Sequence, residues 1–323
     1  MSPVFSKPNW NDRIRPRHLR VHLAANAKNM SIRDQGEVRP AKLGKERFDD
    51  IYDQPDPRAY FGRLGPLDYQ IPHHGQRVFR GLAARRRAAS DAPGPVTTVD
   101  LCCSYGINAA LLNHRLTYGE LTDRYVSPKL AQMPSGELAT RDRGFFADRR
   151  HPEAARVIGV DTARNAVGYG VRAGLLSDGF AENLETTAPS PELRSAVADA
   201  DLITVTGGVG YITERTMRHL LDNVSATPWV AAFVLRTIPY RKIAETLSQF
   251  GLVTEKLPDR TFPQRRFSGA AEERFALGEL ERLGMDSAGR ESHGYYHTEL
   301  FVSRPAQDAA EVPIETLLEF SAV

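Results

Sequence analysis

The apolar positions of this chain fall into two rhythms. From Val96 onward, short apolar or β-branched runs alternate with stretches whose apolar residues recur three or four positions apart. Runs of the first kind predict strands covered on both faces, and stretches of the second predict amphipathic helices. The expected strands are VTTVDLCC, ARVIGVD, DGFAENLE, DLITVTGG, WVAAFVLR, LVTEKLPD and YYHTELFVSRP. Between them lie the expected helices INAALLNHRL, TARNAVGYGVRAGLL, PELRSAVADA, TERTMRHLLDNV and YRKIAETLSQFG. Such alternation implies a mainly parallel sheet with helices on both faces.

Upstream of Val96 the pattern is broken by prolines, so residues 1–95 read as an N-terminal helical extension or lid and residues 96–323 as the sheet domain. Within the extension, HHGQRVFRGLAARRRAAS predicts one helix. Val78, Phe79, Leu82 and Ala83 share its apolar face, and His73 and His74 sit at its exposed start. Two segments interrupt the later rhythm, at about 115–155 and 262–294. Long insertions at strand ends often become lids or substrate walls.

Composition narrows the class. The 323 residues are 41% apolar and 25% charged, the balance of a globular protein. No stretch approaches the roughly 18 apolar residues of a membrane helix, and the first residues lack the apolar core of a secretory signal. A cytoplasmic location without membrane contact is therefore expected. A net charge of +2 gives little reason to expect a nucleic-acid partner. Arg13, Arg15, Arg17 and Arg20 crowd one arm, which reads either as a solvated tail or as a surface for RNA or an acidic partner. The two cysteines are adjacent, which supports neither a disulfide framework nor a zinc site, and no metal centre is expected. The oligomeric state stays open, a homodimer among the options.

The candidate chemistry sits at strand ends. In doubly wound sheets, ligands bind beyond the carboxyl ends of the strands, at the switch point beside the first of them. Asp100 to Asn108 would lie there. Two places where a glycine-rich turn would carry glycine hold Cys102 and Ser104, Tyr105 follows, and Gly106 remains. Asp161 ends the next strand and Thr162 follows; such an acid can accept from two ribose hydroxyls or cap the helix. Glu182, Asn183 and Leu184 leave the third strand, where a polar side chain could pair with an adenine amino group and Leu184 could cover its face. Thr206 and Gly207 follow the fourth, where a substrate would meet the cofactor.

These four features, in this order, resemble the class I S-adenosylmethionine-dependent methyltransferases over about residues 96–305. The resemblance implies a Rossmann-like, doubly wound, seven-stranded, mainly parallel sheet with a C-terminal antiparallel hairpin, here with an N-terminal helical cap. It implies S-adenosylmethionine as cofactor. Asp100 to Gly106 would wrap its methionine part, Asp161 and Thr162 would meet the ribose, and Glu182 to Leu184 the adenine. The sequence departs from the pattern in its depleted glycines and in the sixty or so residues between Asp100 and Asp161, which the first insertion accounts for. The nicotinamide fingerprint G-x-G-x-x-G is absent.

The reaction is bounded by what stands after the fourth strand. TGGVGY occupies the place where amino-base methyltransferases carry an acidic or amide residue, two prolines and an aromatic. No thiol for cytosine C5 chemistry lies there either. Methylation of a small-molecule metabolite is the expected activity. Tyr52, Tyr60 and Tyr69 are the expected lid and substrate residues. Asn108, Tyr211, Phe145 and Phe146 are the candidates at the reacting centre, the aromatic faces suiting a sulfonium. An alternative is a weaker resemblance to the bacterial azetidine-2-carboxylate synthases. These make S-adenosylmethionine displace its own thioether and release methylthioadenosine; Asn108 would orient the amine. A third reading is a non-catalytic module that uses the fold for binding.

Overall fold

The structure, a computed structural model, describes residues 21–22, 49–89 and 94–319. The basic cluster Arg13, Arg15, Arg17 and Arg20 and much of the expected N-terminal extension lie outside the described residues. The described chain begins with β1 (Val21–His22), α1 (Asp49–Tyr52), α2 (Arg58–Leu64) and α3 (Ile71–Ala88). There follow β2 (Thr97–Leu101), α4 (Ile107–Asn113), α5 (Tyr118–Tyr125), α6 (Ser135–Ala147), β3 (Arg156–Asp161), α7 (Arg164–Arg172) and β4 (Asp178–Ala181). Next come α8 (Pro191–Val197), β5 (Leu202–Thr206), α9 (Glu214–Leu221), β6 (Trp229–Leu235) and α10 (Arg241–Gln249). The chain closes with β7 (Leu252–Lys256), β8 (Phe262–Arg266), α11 (Ala270–Arg282), β9 (Tyr295–Pro305), α12 (Ala306–Glu311) and α13 (Ile314–Glu319).

One nine-stranded sheet runs β1-β4-β3-β2-β5-β6-β9-β7, with β8 added beside β9. β1 to β6 pair in parallel, whereas β9 runs antiparallel to β6, β7 and β8. This is the mainly parallel sheet with helices on both faces that the alternation implied, in the doubly wound, Rossmann-like form with terminal antiparallel strands that the resemblance implied. It carries two strands more than the seven expected, the two-residue β1 and the β8 that opens the second insertion. β2 sits at the centre with β3 on one side and β5 on the other, Val99 lying opposite both Ile158 and Ile203. The strand order reverses there, and the carboxyl end of β2 is therefore where a doubly wound sheet takes its ligand.

Burial on both faces explains why the strands read as unbroken apolar runs. All seven residues of β6 are buried. On one face Leu193, Val197, Met217, Leu220, Ile243 and Leu247 of α8, α9 and α10 cover Val99, Ile203 and Val230. On the other, Ile71, Val78, Phe79 and Leu82 of α3 pack on Leu202, Ala231 and Phe233. Residues 71–88 of the expected extension thus share the core of the sheet. α3 begins at Ile71 with Pro72 in its first turn, earlier than the sequence pattern suggested. His74 is half-buried as a result, its ring 5.5 Å from that of Phe262.

The first insertion folds into α5 and α6. Thr117 and Glu120 form a capping box that starts α5. α6 docks through buried Asp142, which accepts a hydrogen bond from Tyr125 Oη at 2.6 Å and others from Tyr169 and Arg124. No helix among the described residues is long and apolar enough to cross a membrane.

Candidate active site at the β2 turn

The turn from β2 into α4 takes a left-handed backbone at three alternating positions: Cys102 (φ 56°), Ser104 (φ 48°) and Gly106 (φ 80°). Glycine enters this region freely, whereas a side chain there costs about 1–2 kcal/mol. The sequence therefore substitutes two glycine places while the fold keeps the glycine conformation. Backbone bonds hold it: Cys102 N donates to Val160 O at 2.8 Å and Gly106 N to Cys103 O at 2.9 Å. Ser104 N donates to Asp161 Oδ2 at 2.9 Å.

Asp161 bridges two elements. Its Oδ1 accepts from Ala163 N at 2.9 Å, which starts α7, while Oδ2 braces the turn. It is half-buried at the end of β3, and Thr162 beside it is exposed. Burial raises its carboxyl, and the hydrogen bonds from Ala163, Ser104 and Thr162 oppose that rise. A carboxylate has about four lone-pair positions, so these backbone donors leave room for a ligand hydroxyl.

Beneath the turn lies a second carboxylate. Asp100 is 1% exposed. Its Oδ1 accepts from Thr204 Oγ1 at 2.9 Å and from Asn108 Nδ2 at 3.2 Å. Asn108 Nδ2 also donates to Thr206 Oγ1 at 3.1 Å. Asp100 Oδ2 and Ser104 Oγ are buried without a hydrogen-bond partner. Such groups are costly unless something satisfies them. Burial pushes the Asp100 carboxyl up to about 7, against the hydrogen bonds from Thr204 and Asn108.

Two loops close on this turn. A Cβ at Gly208 would lie 2.6 Å from Cys102 Sγ, so the segments after β2 and β5 are in close contact. Gly207 has φ 72°, and a Cβ there would meet Gln264 Nε2 at 2.7 Å, with Tyr69 Oη 4.0 Å away. After β4, Glu182 N donates to Asp161 O at 3.0 Å, which places this loop beside Asp161. The Glu182 carboxylate accepts from Ser190 N at 3.0 Å and Ser190 Oγ at 2.6 Å, at the start of α8. Asn183 is exposed and its Oδ1 accepts from Glu185 N at 3.0 Å. Leu184 is buried in the core facing α8 and α9.

The N-terminal segment bonds to the same end of the sheet. Tyr105 is fully buried and its hydroxyl accepts from Gln54 N at 2.9 Å and donates to Ile51 O at 2.9 Å. Asn165 N donates to Asp53 Oδ1 at 2.6 Å, and Gln70 N to Gln264 O at 2.8 Å. Tyr60 stands among Tyr52, Tyr69 and Tyr105, with ring centroids 5.8, 6.1 and 6.1 Å away. Burial raises the Tyr52 phenol, and the neighbouring phenols of Tyr69 and Tyr211 raise it further. Tyr211 is 41% exposed and faces the same group. The structure thus gathers Tyr52, Tyr60, Tyr69 and Tyr211 near the turn.

Phe145 and Phe146 require a correction, because neither lies at the turn. Phe145 is held between the guanidiniums of Arg124 and Arg149, 4.0 and 3.9 Å from its ring centroid. Phe146 is buried against His114, 5.3 Å between rings. His114 closes α4 at the end opposite Gly106, so both aromatics serve the docking of α6.

Sequence reasoning missed Gln264 and Arg265, each 1% exposed. A register shift between Pro263 and Arg265 interrupts β8. A bulge turns successive side chains inward, where a regular strand would send one of them to solvent. Arg265 forms a bidentate pair with Glu272, at 2.8 and 2.7 Å.

No protein-family model matches the chain, and no curated protein matches its sequence. Among solved structures, the plantazolicin methyltransferase BpumL in complex with a triazolic desmethylPZN analog and SAH aligns over 80% of this chain and 94% of its own, at 10% identity and TM-score 0.40. A precorrin-6y C5,15-methyltransferase from Geobacter metallireducens aligns over 70% and 87%, at 8% identity and TM-score 0.36. The [4+2]-cyclase SpnF aligns over 70% and 80%, at 12% identity and TM-score 0.33. The strand order, rather than these distant likenesses, decides the architecture. The fold is a doubly wound, Rossmann-like, mainly parallel sheet with antiparallel strands at one edge.

Proposed function

We propose that the protein binds S-adenosylmethionine and transfers its methyl group to a small molecule. The observation that best supports this is the β2 turn. It keeps the glycine conformation at Cys102 and Ser104, is braced by Asp161, and leaves Asp100 Oδ2 and Ser104 Oγ without protein partners. A polar ligand threaded along the turn would satisfy both groups. In this reading Asp161 holds ribose hydroxyls, residues 102–106 follow the methionine part, and the loop of Glu182 to Leu184 borders the adenine. The cofactor supplies a sulfonium-activated methyl carbon. The chain's own part is to orient the acceptor and exclude water. Tyr52, Tyr69, Tyr211 and Gln264 surround the place after β5 where the acceptor would stand. Titration calorimetry with S-adenosylhomocysteine tests the reading: wild type binds, and Asp161→Ala binds at least tenfold more weakly. Equal affinities would remove Asp161 from the site.

A second reading, cyclisation of the cofactor itself, is favoured by one observation. The Asp100 carboxyl, held near 7 by burial, lies beside Asn108 at the turn and could accept the proton of an ammonium. The freed amine would attack the γ-carbon, the carbon–sulfur bond would break, and methylthioadenosine would leave.

A further inference from the structure

Gln264 and Tyr69 meet at the end of β5. A Cβ at Gly207 would lie 2.7 Å from Gln264 Nε2 and 4.0 Å from Tyr69 Oη, so an amide N–H and a phenol O–H stand over the same spot. The bulge in β8 turns Gln264 inward, and Gln70 N, next in the chain to Tyr69, donates to Gln264 O at 2.8 Å. The same bulge buries Arg265. Its Nη1 and Nη2 donate to Glu272 Oε2 and Oε1, and Nη1 also donates to Arg266 O at 2.8 Å. Ser268 N donates to Glu272 Oε2 at 2.7 Å. The pair is thus held in place as well as buried, and a fixed ion pair without net charge is still a dipole.

The phenols around it show which way the dipole points. Burial raises Tyr52 and Tyr69, and Arg265 opposes that rise at both. At Tyr52 the guanidinium outweighs Asp161, the carboxylate that acts there in the opposite sense. Burial raises Tyr296 as well, and there Glu272 acts more strongly than Arg265. The positive end is therefore turned toward Tyr52 and Tyr69, the negative end toward Tyr296.

We propose that the acceptor in this site is an organic acid held by its carboxylate, with Tyr52, Tyr69 and Gln264 facing the carboxylate and the Arg265–Glu272 pair selecting its charge. This deepens the methyl-transfer reading and rests on it. Phenols kept protonated by burial and an amide N–H are donors, and donors match an oxygen anion. In a buried site charges are screened less than in water, so the oriented pair acts through space. The sulfonium of a bound cofactor adds a second positive charge. Nη1 and Nη2 are both committed to Glu272, so the pair attracts a single negative charge at a distance and does not clamp a dianion such as a phosphate ester. An ammonium or amidinium would meet the positive end.

The test is calorimetry near neutral pH on the full chain saturated with S-adenosylhomocysteine, with benzoate, benzamide, benzamidine and phenyl phosphate as probes. Benzoate is expected to bind about tenfold more tightly than benzamide or benzamidine, which share its ring and differ in charge. Tyr69→Phe should weaken benzoate about tenfold, as the loss of a hydrogen bond to a charged group does. Arg265→Gln with Glu272→Gln removes both charges and keeps an acceptor for Ser268 N; benzoate should then fall to within about twofold of benzamide. Unchanged affinity for S-adenosylhomocysteine certifies the fold of each variant. If benzamide or benzamidine matches benzoate on the wild type, if phenyl phosphate binds more tightly, or if no probe binds, the acid is overturned as the acceptor. If Tyr69→Phe leaves benzoate unchanged, the docking is overturned. If the preference for benzoate survives the double variant, the role of the pair is overturned. The wild-type ranking and Tyr69→Phe decide the docking even where the double variant does not fold. Failure of the wild type to bind S-adenosylhomocysteine is a separate result, which removes the cofactor reading and the proposal with it.

Discussion

Tyr105 and Gln54 are 51 positions apart in the chain and share a 2.9 Å hydrogen bond, from the Gln54 amide to the Tyr105 hydroxyl. Because Tyr105 belongs to the β2 turn, any change that orders the turn is felt by the N-terminal segment. Tyr105→Phe keeps the ring and removes the hydroxyl that also donates to Ile51 O. The carbonyl and amide left behind are expected to cost about 1–3 kcal/mol. Hydrogen exchange should rise at residues 51–54 ahead of the rest of the protein. Exchange unchanged there would show that the hydroxyl does not anchor the segment.

Ser104→Gly should stabilise the protein. The serine sits at φ 48° with a buried hydroxyl that no side chain or backbone group satisfies. Relief of strain and of the unpaired hydroxyl outweighs the extra chain entropy of glycine by about 1 kcal/mol. Urea unfolding reads this directly, and a loss of stability would mean that the hydroxyl has a role in the folded protein beyond filling the turn.

Asp100 gives the protein a pH signature. Its folded value, near 7, stands above the roughly 3.9 of an unfolded aspartate. Between those values the native state keeps the proton that the unfolded state has released. Its contribution to stability therefore falls as pH rises through that window and is constant above it. The groups that act on it are Thr204 and Asn108 through hydrogen bonds and Asp161 through its charge, while Cys102 and Cys103 lie within reach of its own field. The imidazoles of His74, His114 and His297, held down to about 4 by burial, act in the opposite sense as pH falls below 6.5. Asp100→Asn cancels those shared terms. Relative to wild type, the variant should gain on the order of 3 kcal/mol more at pH 8 than at pH 4.5. A pH-independent difference would show that Asp100 is ionised throughout.

Transfer and cyclisation are separated by their products. Incubation with S-adenosylmethionine alone should give no enzyme-dependent methylthioadenosine if the protein is a methyltransferase. Rapid formation of methylthioadenosine with a four-carbon cyclic amino acid establishes the cyclase instead, and chromatography with mass detection distinguishes them.

The alternation of apolar runs and amphipathic stretches sufficed for the sheet because β2 to β6 are buried on both faces, and such strands carry their signature locally. Asp161 at a strand end and the small residues of the turn were legible for the same reason. What escaped depends on pairing across the chain. β8 is irregular in pattern because its bulge points Gln264 and Arg265 inward together. Phe145 and Phe146 looked suited to a sulfonium by chemistry alone, but the helix that carries them docks at the far end of α4. The bond from Asn108 to Thr206 spans 98 positions, a separation at which local pattern is silent.

The N-terminal segment is tied down at Tyr105, at Asn165 and at Gln264, on three separate elements. At about 1 kcal/mol for each bond, releasing these three alone costs roughly 3 kcal/mol, and the bonds of Asp56 and Arg58 to the first insertion and the burial of Phe61 and Leu64 add to that, so an untied form is populated at most on the order of 1% of the time. If entry requires that form, capture slows at least a hundredfold, and escape slows by the same factor where the three bonds are equally strong over an empty and a filled site. Equilibrium affinity is then blind to the strap, and residence time is where it shows: cutting one tie should shorten the stay of a ligand without changing how much of it is bound.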